Sequence, residues 1–315
     1  MRRIPAWLRG GAMLAAAAMA WGGMFPVVKP LMHSIDPFGL TLVRYGLAAP
    51  VFLALLWAAE GRHAFATEGQ ALRLWWSGTL GFAGFGLFAF VGLESTRPEH
   101  AAVIPALLPL ISVVVISARQ QAWPSARAIL AIAVGLGGVA LVVTHGDPWA
   151  LLTGGAGRGE ALVLAGATCW VFYTLGAAAF PGWSGLRYTA MTCALGLVSI
   201  AGAEALALAS GLAALPRADA LAAAVPSLGY MVVVASVLAV LGWNGGIREI
   251  GAARGVLFIN LVPVTAFAIA VVGGRVPEAA ELAGVALVVA ALLLNSLSPA
   301  HRVAPPSLPV LQGRT

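Results

Sequence analysis

The chain has 315 residues, of which 60% are hydrophobic and only 10% are charged, and its formal net charge at pH 7 is +6. A soluble domain carries about 25% charged residues, so this composition and a mean hydropathy of +0.93 exclude an ordinary water-soluble protein and predict one that has a bilayer as solvent. The two cysteines, Cys169 and Cys193, lie in apolar stretches and form neither a disulfide framework nor a metal-binding spacing.

A spanning helix needs about 20 mostly apolar residues. Ten segments of the chain approach this length between short polar connections, so we predict an all-α integral membrane protein with ten transmembrane helices. In chain order, the predicted helices are 11–32, 37–58, 74–93, 100–117, 126–143, 160–179, 186–208, 226–247, 253–273 and 277–297.

The distribution of arginines predicts the orientation, because cytoplasmic loops carry an excess of Lys and Arg. With the N-terminus in the cytoplasm, twelve loop arginines lie on the cytoplasmic side and four on the outer side. The cytoplasmic set is Arg2, Arg3, Arg9, Arg62, Arg73, Arg119, Arg127, Arg187, Arg248, Arg254, Arg302 and Arg314, and the outer set is Arg97, Arg158, Arg217 and Arg275. Both termini are therefore predicted to be cytoplasmic in a multi-pass inner-membrane protein. The scattered basic residues indicate no nucleic-acid partner.

The two halves of the chain resemble each other. "VRYGLA" at Val43–Ala48 is echoed by "LRYTAM" at Leu186–Met191, and "EHAAVIPALLPLI" at Glu99–Ile111 by "ARGVLFINLVPVT" at Ala253–Thr265. Five helices per copy is an odd number, so the second copy must enter the membrane from the opposite side. Such inverted repeats commonly hold a substrate site between them near the bilayer midplane.

These features predict five regions of the chain. They are a cytoplasmic N-terminus at 1–10, a first repeat at 11–144 with helices 1–5, a periplasmic linker at 145–159, a second repeat at 160–298 with helices 6–10, and a disordered cytoplasmic tail at 299–315.

Three motifs resemble a known family. "AWGGMF" at Ala20–Phe25, "LTLVRYGLAA" at Leu40–Ala49 and "PEHAAVIPALLPLI" at Pro98–Ile111 are similar to motifs of EamA-type transporters in the drug/metabolite transporter superfamily. The resemblance implies a central cavity formed mainly by helices 1, 3, 4, 6, 8 and 9. The chain departs from the family after helix 9, where Arg275 stands at a position that is commonly acidic.

Aromatic and amide side chains at membrane depth are the first candidates for a substrate site. Trp21, Trp170 and Trp243 lie well inside their segments rather than at the interface, where Trp is usual. Phe25 and Tyr173 lie near them. Asn244 and Asn260 must find polar partners in hydrocarbon, either a neighbouring helix or a solute. The predicted substrate-binding set also includes Arg44.

Two basic residues enter the apolar segments. Lys29 lies close to the outer interface, where a lysine can extend its charge to the headgroups, so we interpret it as an anchor. Arg44 lies about 10 Å deeper, at roughly seven residues from the start of its helix. It either pairs with Asp36 or with helix carbonyls, or it faces the cavity. If both cations face inward, they would attract an anionic or carboxylate-bearing solute.

Prolines inside the predicted helices indicate kinks or gates, because proline breaks the backbone hydrogen-bond ladder. They are Pro26, Pro30, Pro109 and Pro263. The five histidines are isolated in the sequence. Every acidic residue lies in a loop or near a helix end, with Glu94 and Glu204 expected to be the least exposed. No carboxylate is expected at the membrane centre, which favours facilitated export or exchange over proton antiport.

The sequence therefore predicts an exporter of small metabolites, such as amino acids or related compounds, that works by alternating access. Its expected partners are a small-molecule solute and the lipid bilayer, and the chain acts as a monomer or a homodimer. We expect no catalytic residue, metal or cofactor, because no hydrolase or nucleotide-binding motif is present. The alternatives are a multidrug efflux transporter, a membrane scaffold and an intramembrane enzyme.

Overall fold

The computed structural model describes residues 5–147, 149, 157–250 and 255–296, and it has no β-strand within them. Eight of its helices are long and apolar enough to cross a membrane, and two shorter apolar helices follow them. The all-α class is confirmed. The predicted tail at 299–315 and most of the predicted linker at 145–159 lie outside the described residues.

The helices are numbered in chain order. They are α1 Ala6–Leu31, α2 Pro37–Glu60, α3 Ala71–Glu94, α4 Pro98–Arg119, α5 Ala126–Thr144, α6 Arg158–Ala179, α7 Gly185–Ala209 and α8 Ala218–Ile250. The last two are α9 Leu261–Val272, which follows a 3₁₀ turn at Val256–Asn260, and α10 Ala279–Ser296.

Two helices begin more than one helical turn before their predicted starts. α8 starts at Ala218 rather than at 226, because Pro226 lies inside the helix without ending it, as neighbouring helices permit in membranes. α1 starts at Ala6, so part of the predicted N-terminal segment is helical. Arg9 in this added stretch pairs with Glu249 at the other end of α8, at 2.6 Å.

Side-chain caps fix several helix ends, where backbone groups lack partners within the helix. Asp36 begins α2 by accepting hydrogen bonds from the backbone N–H groups of Phe38 and Gly39, each at 2.9 Å. Ser184 caps α7 in the same way through the N–H of Arg187, also at 2.9 Å. The sequence at both sites has an acid or hydroxyl at the N-cap position, which is the preferred chemistry there.

Helices at the same position in the two halves share an irregularity. α3 contains a π-helical segment at Thr79–Gly84, and α8 contains one at Tyr230–Leu238. α4 contains a 3₁₀ turn at Ile104–Leu107, and the turn at Val256–Asn260 precedes α9. Prolines follow both 3₁₀ turns, which is consistent with the lost N–H of proline loosening the preceding backbone.

The most extensive helix pairs are α1 with α8, α3 with α6, α5 with α10, α3 with α7, α2 with α7 and α1 with α9. Small residues allow the closest of these approaches, as is usual between membrane helices. A Cβ added to Gly138 of α5 would lie 2.6 Å from the carbonyl oxygen of Gly284 in α10. The two backbones therefore touch directly at this point.

Candidate functional site

A cavity of about 420 Å³ lies between the two halves of the chain. It is lined mostly by aromatic and aliphatic side chains from α1 to α4 and α6 to α9. Eight residues predicted from the sequence as site or gating residues line it, namely Trp21, Phe25, Arg44, Pro109, Trp170, Tyr173, Trp243 and Asn244. Four do not, namely Pro26, Pro30, Asn260 and Pro263. A role in solute binding stays a prediction for all of them.

One wall of the cavity is a pair of tryptophans. The rings of Trp21 in α1 and Trp243 in α8 have centroids 5.2 Å apart. Trp21 Nε1 donates to the carbonyl oxygen of Ala235 at 2.9 Å. Ala235 lies in the π-helical segment of α8, and helix irregularities of this kind leave carbonyl groups for other donors. The irregular backbone of α8 thus holds the indole of α1 in place.

Another part of the cavity lining is an aromatic cluster around Trp170 in α6. Its ring lies 5.4 Å from Phe85 and 5.0 Å from Tyr173, and Tyr173 stacks on Tyr188 at 5.1 Å. Gly81 in α3 makes room for it, because a Cβ there would lie 2.5 Å from Cγ of Tyr173. Such pairs add stability beyond the area that they bury, so this wall is a rigid, apolar surface.

Arg44 faces the cavity, which decides between the two alternatives left by the sequence. It is only 4% exposed, and its Nε donates to Ser236 Oγ at 2.9 Å. Its guanidinium carbon lies 4.8 Å from the centroid of Tyr45 and 5.7 Å from that of Phe90. In the described part of the chain, its Nη1 has no hydrogen-bond partner. Asp36 caps α2 instead of pairing with it.

The sequence analysis does not single out several residues that line the cavity. Ser236 carries a hydroxyl within an apolar segment, and in the structure this hydroxyl accepts a hydrogen bond from Nε of Arg44. Tyr45 and Tyr188 both line the cavity. Each follows an arginine in one of the two similar segments, Val43–Ala48 and Leu186–Met191, and this repetition could have identified them from the sequence. Trp183, in the α6–α7 connection, also lines it.

The two asparagines have different positions. Asn244 lies in the cavity wall near the start of α7, where a Cβ on Gly185 would be 3.3 Å from its Nδ2. Asn260 ends the 3₁₀ turn before α9 and lies outside the lining. Ile259, the preceding residue of the same turn, lines the cavity instead.

A group of polar contacts around Arg187 lies at the end of the cavity that the α6–α7 connection forms. Arg187 donates to Glu68 Oε1 at 2.7 Å and to the carbonyl oxygen of Ala66 at the same distance. Its guanidinium lies 3.8 Å from the ring centroid of Trp183. Hydrogen bonds from Trp183 and Arg187 hold the pKa of Glu68 below its usual value. These contacts of Arg187 therefore connect the α2–α3 loop to the start of α7.

A second ionic group lies at the other end of α6 and includes residues from four parts of the chain. We call it the ionic cluster, and its members are Arg97, Glu99, His100, His145, Glu160, Arg275, Glu278 and Glu281. His100 Nε2 is 2.8 Å from Glu281 Oε1, and Arg275 Nη1 is 2.8 Å from Glu99 Oε1. Arg275 also donates to Glu281, and Thr96 to Glu160. These contacts join α4, α6 and α10 at one membrane face.

The ionic cluster changes the interpretation of the histidines, the acids and Arg275. The histidines are isolated along the sequence, but the rings of His100 and His145 have centroids 5.2 Å apart. Glu99, Glu160 and Glu281 are buried along with Glu204, whereas Glu94 is exposed. Arg275, where the chain departs from the resemblance, pairs with Glu99 and Glu281.

Part of the ionic cluster has the residue types of a metal site. His100, His145 and Glu281 offer ligand atoms that lie within 4.8 Å of one another. Glu281, however, already accepts from Arg275 and lies 3.8 Å from Arg97. Two guanidinium groups beside this carboxylate oppose the approach of a further cation. The geometry therefore fits ion pairs better than a metal ion.

Lys29 has a different role from the predicted interfacial anchor. Its ammonium donates to the carbonyl oxygens of Leu93, Glu94 and Thr96, the last two at 2.9 and 3.0 Å. These carbonyls belong to the end of α3, where helix acceptors lack partners and cations are favoured. Lys29 is therefore a cap that links α1 to α3, and it lies outside the cavity lining.

Two stretches of the chain match the same protein family. The model of the EamA-like transporter family matches residues 8–144 and 157–297. The uncharacterized transporter YrdR of Bacillus subtilis (strain 168) is 30% identical over 292 residues, which are 91% of each chain. The uncharacterized transporter YyaM of the same organism is 29% identical over 290 residues, covering 90% of this chain and 92% of its own.

A solved crystal structure has a similar fold. It superimposes with a TM-score of 0.62 and covers 91% of this chain and 96% of its own, with 19% sequence identity. At this identity, the likeness concerns the arrangement of the helices alone.

Proposed function

The chain belongs to the EamA-like transporter family, and we propose that it is an inner-membrane exporter that moves small metabolites by alternating access. Membership of the family and its transporter-named relatives support a multi-pass membrane transporter. The solute, the direction of transport and the mechanism are the parts that we propose.

We propose that the chain is an inverted repeat of five helices, an arrangement that would allow alternating access. A two-fold axis that exchanges each helix with the one five places later turns the pair α1–α8 into α6–α3, and it leaves α2–α7 and α5–α10 unchanged. All four of these pairs pack extensively, and α3 also packs on α7 and α1 on α9. The shared π and 3₁₀ segments and the two family matches support the same symmetry. Rocking one repeat against the other would then expose the cavity to each side in turn.

The position of the cavity indicates which state the structure represents. The cavity reaches the α6–α7 connection, whereas the ionic cluster lies at the opposite end of α6. With both termini in the cytoplasm, as the arginine distribution predicts, the α6–α7 connection is cytoplasmic. The structure then corresponds to an inward-facing state whose outer end is closed by the ionic cluster.

The cavity is the single observation that carries this proposal. Its volume of about 420 Å³ falls in the range of small-molecule sites, and its aromatic walls suit a solute with an apolar part. A multidrug exporter for organic cations is the alternative. It is disfavoured because the described lining contains no acid to neutralise a cation, and an unpaired charge in this setting is costly.

A growth-protection and efflux screen tests the proposal. Cells that express the protein are challenged with amino acids, toxic analogues of amino acids, and antibiotics, and the efflux of protected solutes is then measured. Protection by export of a small metabolite supports the proposal. Export of quaternary ammonium compounds in preference to metabolites would support the multidrug alternative. Reporter fusions after Arg314 and at Gly155 test the orientation, and a periplasmic C-terminus would overturn it.

A further inference from the structure

We propose that Arg44 recognises a carboxylate, so that the solute is an organic carboxylate whose remaining surface is apolar. This inference rests on the proposed function and names the chemical group that the cavity binds. Among the described residues that line the cavity, Arg44 is the only one with a formal charge at pH 7.

The guanidinium is buried without a counter-ion. In the described residues, no acid lies within salt-bridge distance of it, and its one hydrogen-bond acceptor is the neutral hydroxyl of Ser236. Burial of a charge is costly unless it is paired. The aromatic rings of Tyr45 and Phe90 offset part of this cost. A full counter-charge must come from outside the described chain, and the solute is its natural source.

The repeat provides an internal comparison. "VRY" in α2 corresponds to "LRY" in α7, so Arg187 is the counterpart of Arg44. Arg187 has the carboxylate of Glu68 at 2.7 Å and two backbone acceptors. Arg44 has none of these, and its Nη1 stays without a hydrogen-bond partner within the described structure. Only one of the two equivalent arginines therefore has protein groups that neutralise it.

The geometry also selects the form of the anion. Ser236 accepts from Nε of Arg44, and its own hydroxyl donates to the carbonyl oxygen of Met231 at 2.8 Å. The π-helical segment of α8 thus holds the guanidinium by Nε and leaves Nη1 without a partner among the described residues. A planar guanidinium matches a carboxylate through two parallel hydrogen bonds. The aromatic walls on either side would then cover an apolar or aromatic body.

Three probes of nearly equal size separate charge from shape, namely 3-phenylpropionate, 3-phenylpropionamide and 3-phenylpropylamine. Calorimetric titration of the purified protein measures their binding. We expect the carboxylate to bind on the order of ten- to a hundredfold more tightly than the amide, because hydrogen bonds to a charged partner are the strong ones. The amine should bind most weakly.

Variants assign this preference to Arg44. Arg44→Gln should make the carboxylate and the amide bind equally, and Arg44→Lys should keep part of the difference. Ser236→Asp places a carboxylate beside Arg44 and should abolish the preference with the arginine still present, which covers the case in which Arg44→Gln does not fold. Arg73→Gln, an exposed change on α3, is the matched control and should behave as the unaltered protein does.

The outcomes separate this inference from the proposed function. Equal binding of carboxylate and amide by the unaltered protein overturns the inference, as does a preference that persists in both Arg44→Gln and Ser236→Asp. Failure of all three probes to bind also overturns it. In each case, export of some other solute in the efflux screen would leave the proposed function intact. Failure to export any solute would overturn the proposed function instead.

Discussion

Trp21 and Trp243 lie against each other in the cavity wall, with ring centroids 5.2 Å apart and planes inclined at 49°. The first belongs to α1 and the second to α8, which are helices from different halves of the chain. The hydrogen bond from Trp21 to Ala235 fixes this contact. The pair therefore joins the two repeats at the place where we expect the solute to bind.

Trp243→Ala should weaken solute binding by about three- to tenfold, because the solute loses an aromatic surface and Trp21 loses its neighbouring ring. The maximal transport rate should change less than the KM. Transport measured at equal membrane abundance gives both values. Trp57→Ala is the matched control, since Trp57 is 58% exposed on the outside of the bundle. Equal effects of the two substitutions would contradict a role for Trp243 in binding.

These tryptophans could be predicted from the sequence, whereas the ionic cluster could not. Trp21, Trp170 and Trp243 lie deep in apolar segments, so their depth in the membrane follows from position alone. Glu99, Glu160 and Glu281 lie near helix starts, where a solvated acid looks the same in a sequence. Only the packing of α4, α6 and α10 brings them together. The Arg44–Ser236 contact likewise joins two helices that the sequence alone does not pair.

Glu281→Gln should open the outer end of the transporter. The change removes the charge that pairs with Arg275 and His100, and loss of one partner from a buried ion pair costs about 3 kcal/mol or more. The readout is labelling of Ala102→Cys, a buried site on α4, by a membrane-impermeant maleimide added from outside, after Cys169 and Cys193 have been replaced by alanine. We expect faster labelling than with Glu281 intact.

Glu94→Gln is the control for this experiment, because Glu94 is exposed and its carboxylate belongs to no ion pair among the described residues. Its labelling rate should match that of the parent. If Glu281→Gln and Glu94→Gln label alike, the ionic cluster does not hold the outer end closed.

Lys29→Gln should lower stability and spare solute recognition. The ammonium donates to three carbonyl oxygens at the end of α3, and loss of charged hydrogen bonds costs about 1–3 kcal/mol. A fall in the thermal unfolding temperature with an unchanged KM is the expected result. Lys29→Arg, which keeps the charge and the donors, should restore part of the stability. A large rise in KM would instead place Lys29 in the solute pathway.

Gly138→Ala and Gly137→Ala make a matched pair on neighbouring positions of α5. A Cβ at 138 would lie 2.6 Å from the carbonyl oxygen of Gly284, whereas a Cβ at 137 would have nothing within 4 Å. Overpacking costs about 1–3 kcal/mol, so Gly138→Ala should destabilise the α5–α10 contact. Gly137→Ala should be neutral or slightly stabilising. Thermal unfolding in detergent measures both, and equal values would contradict direct contact between the backbones.

Counterflow in proteoliposomes tests most directly whether a solute crosses the membrane through this cavity. The vesicles are loaded with the best solute from the efflux screen, and the entry of a labelled trace of the same solute is followed for the unaltered protein, Trp170→Ala and the exposed control Trp76→Ala. We predict transient accumulation with the unaltered protein and the control, and little or none with Trp170→Ala. Equal accumulation by all three proteins, or none by the unaltered protein, would contradict the account.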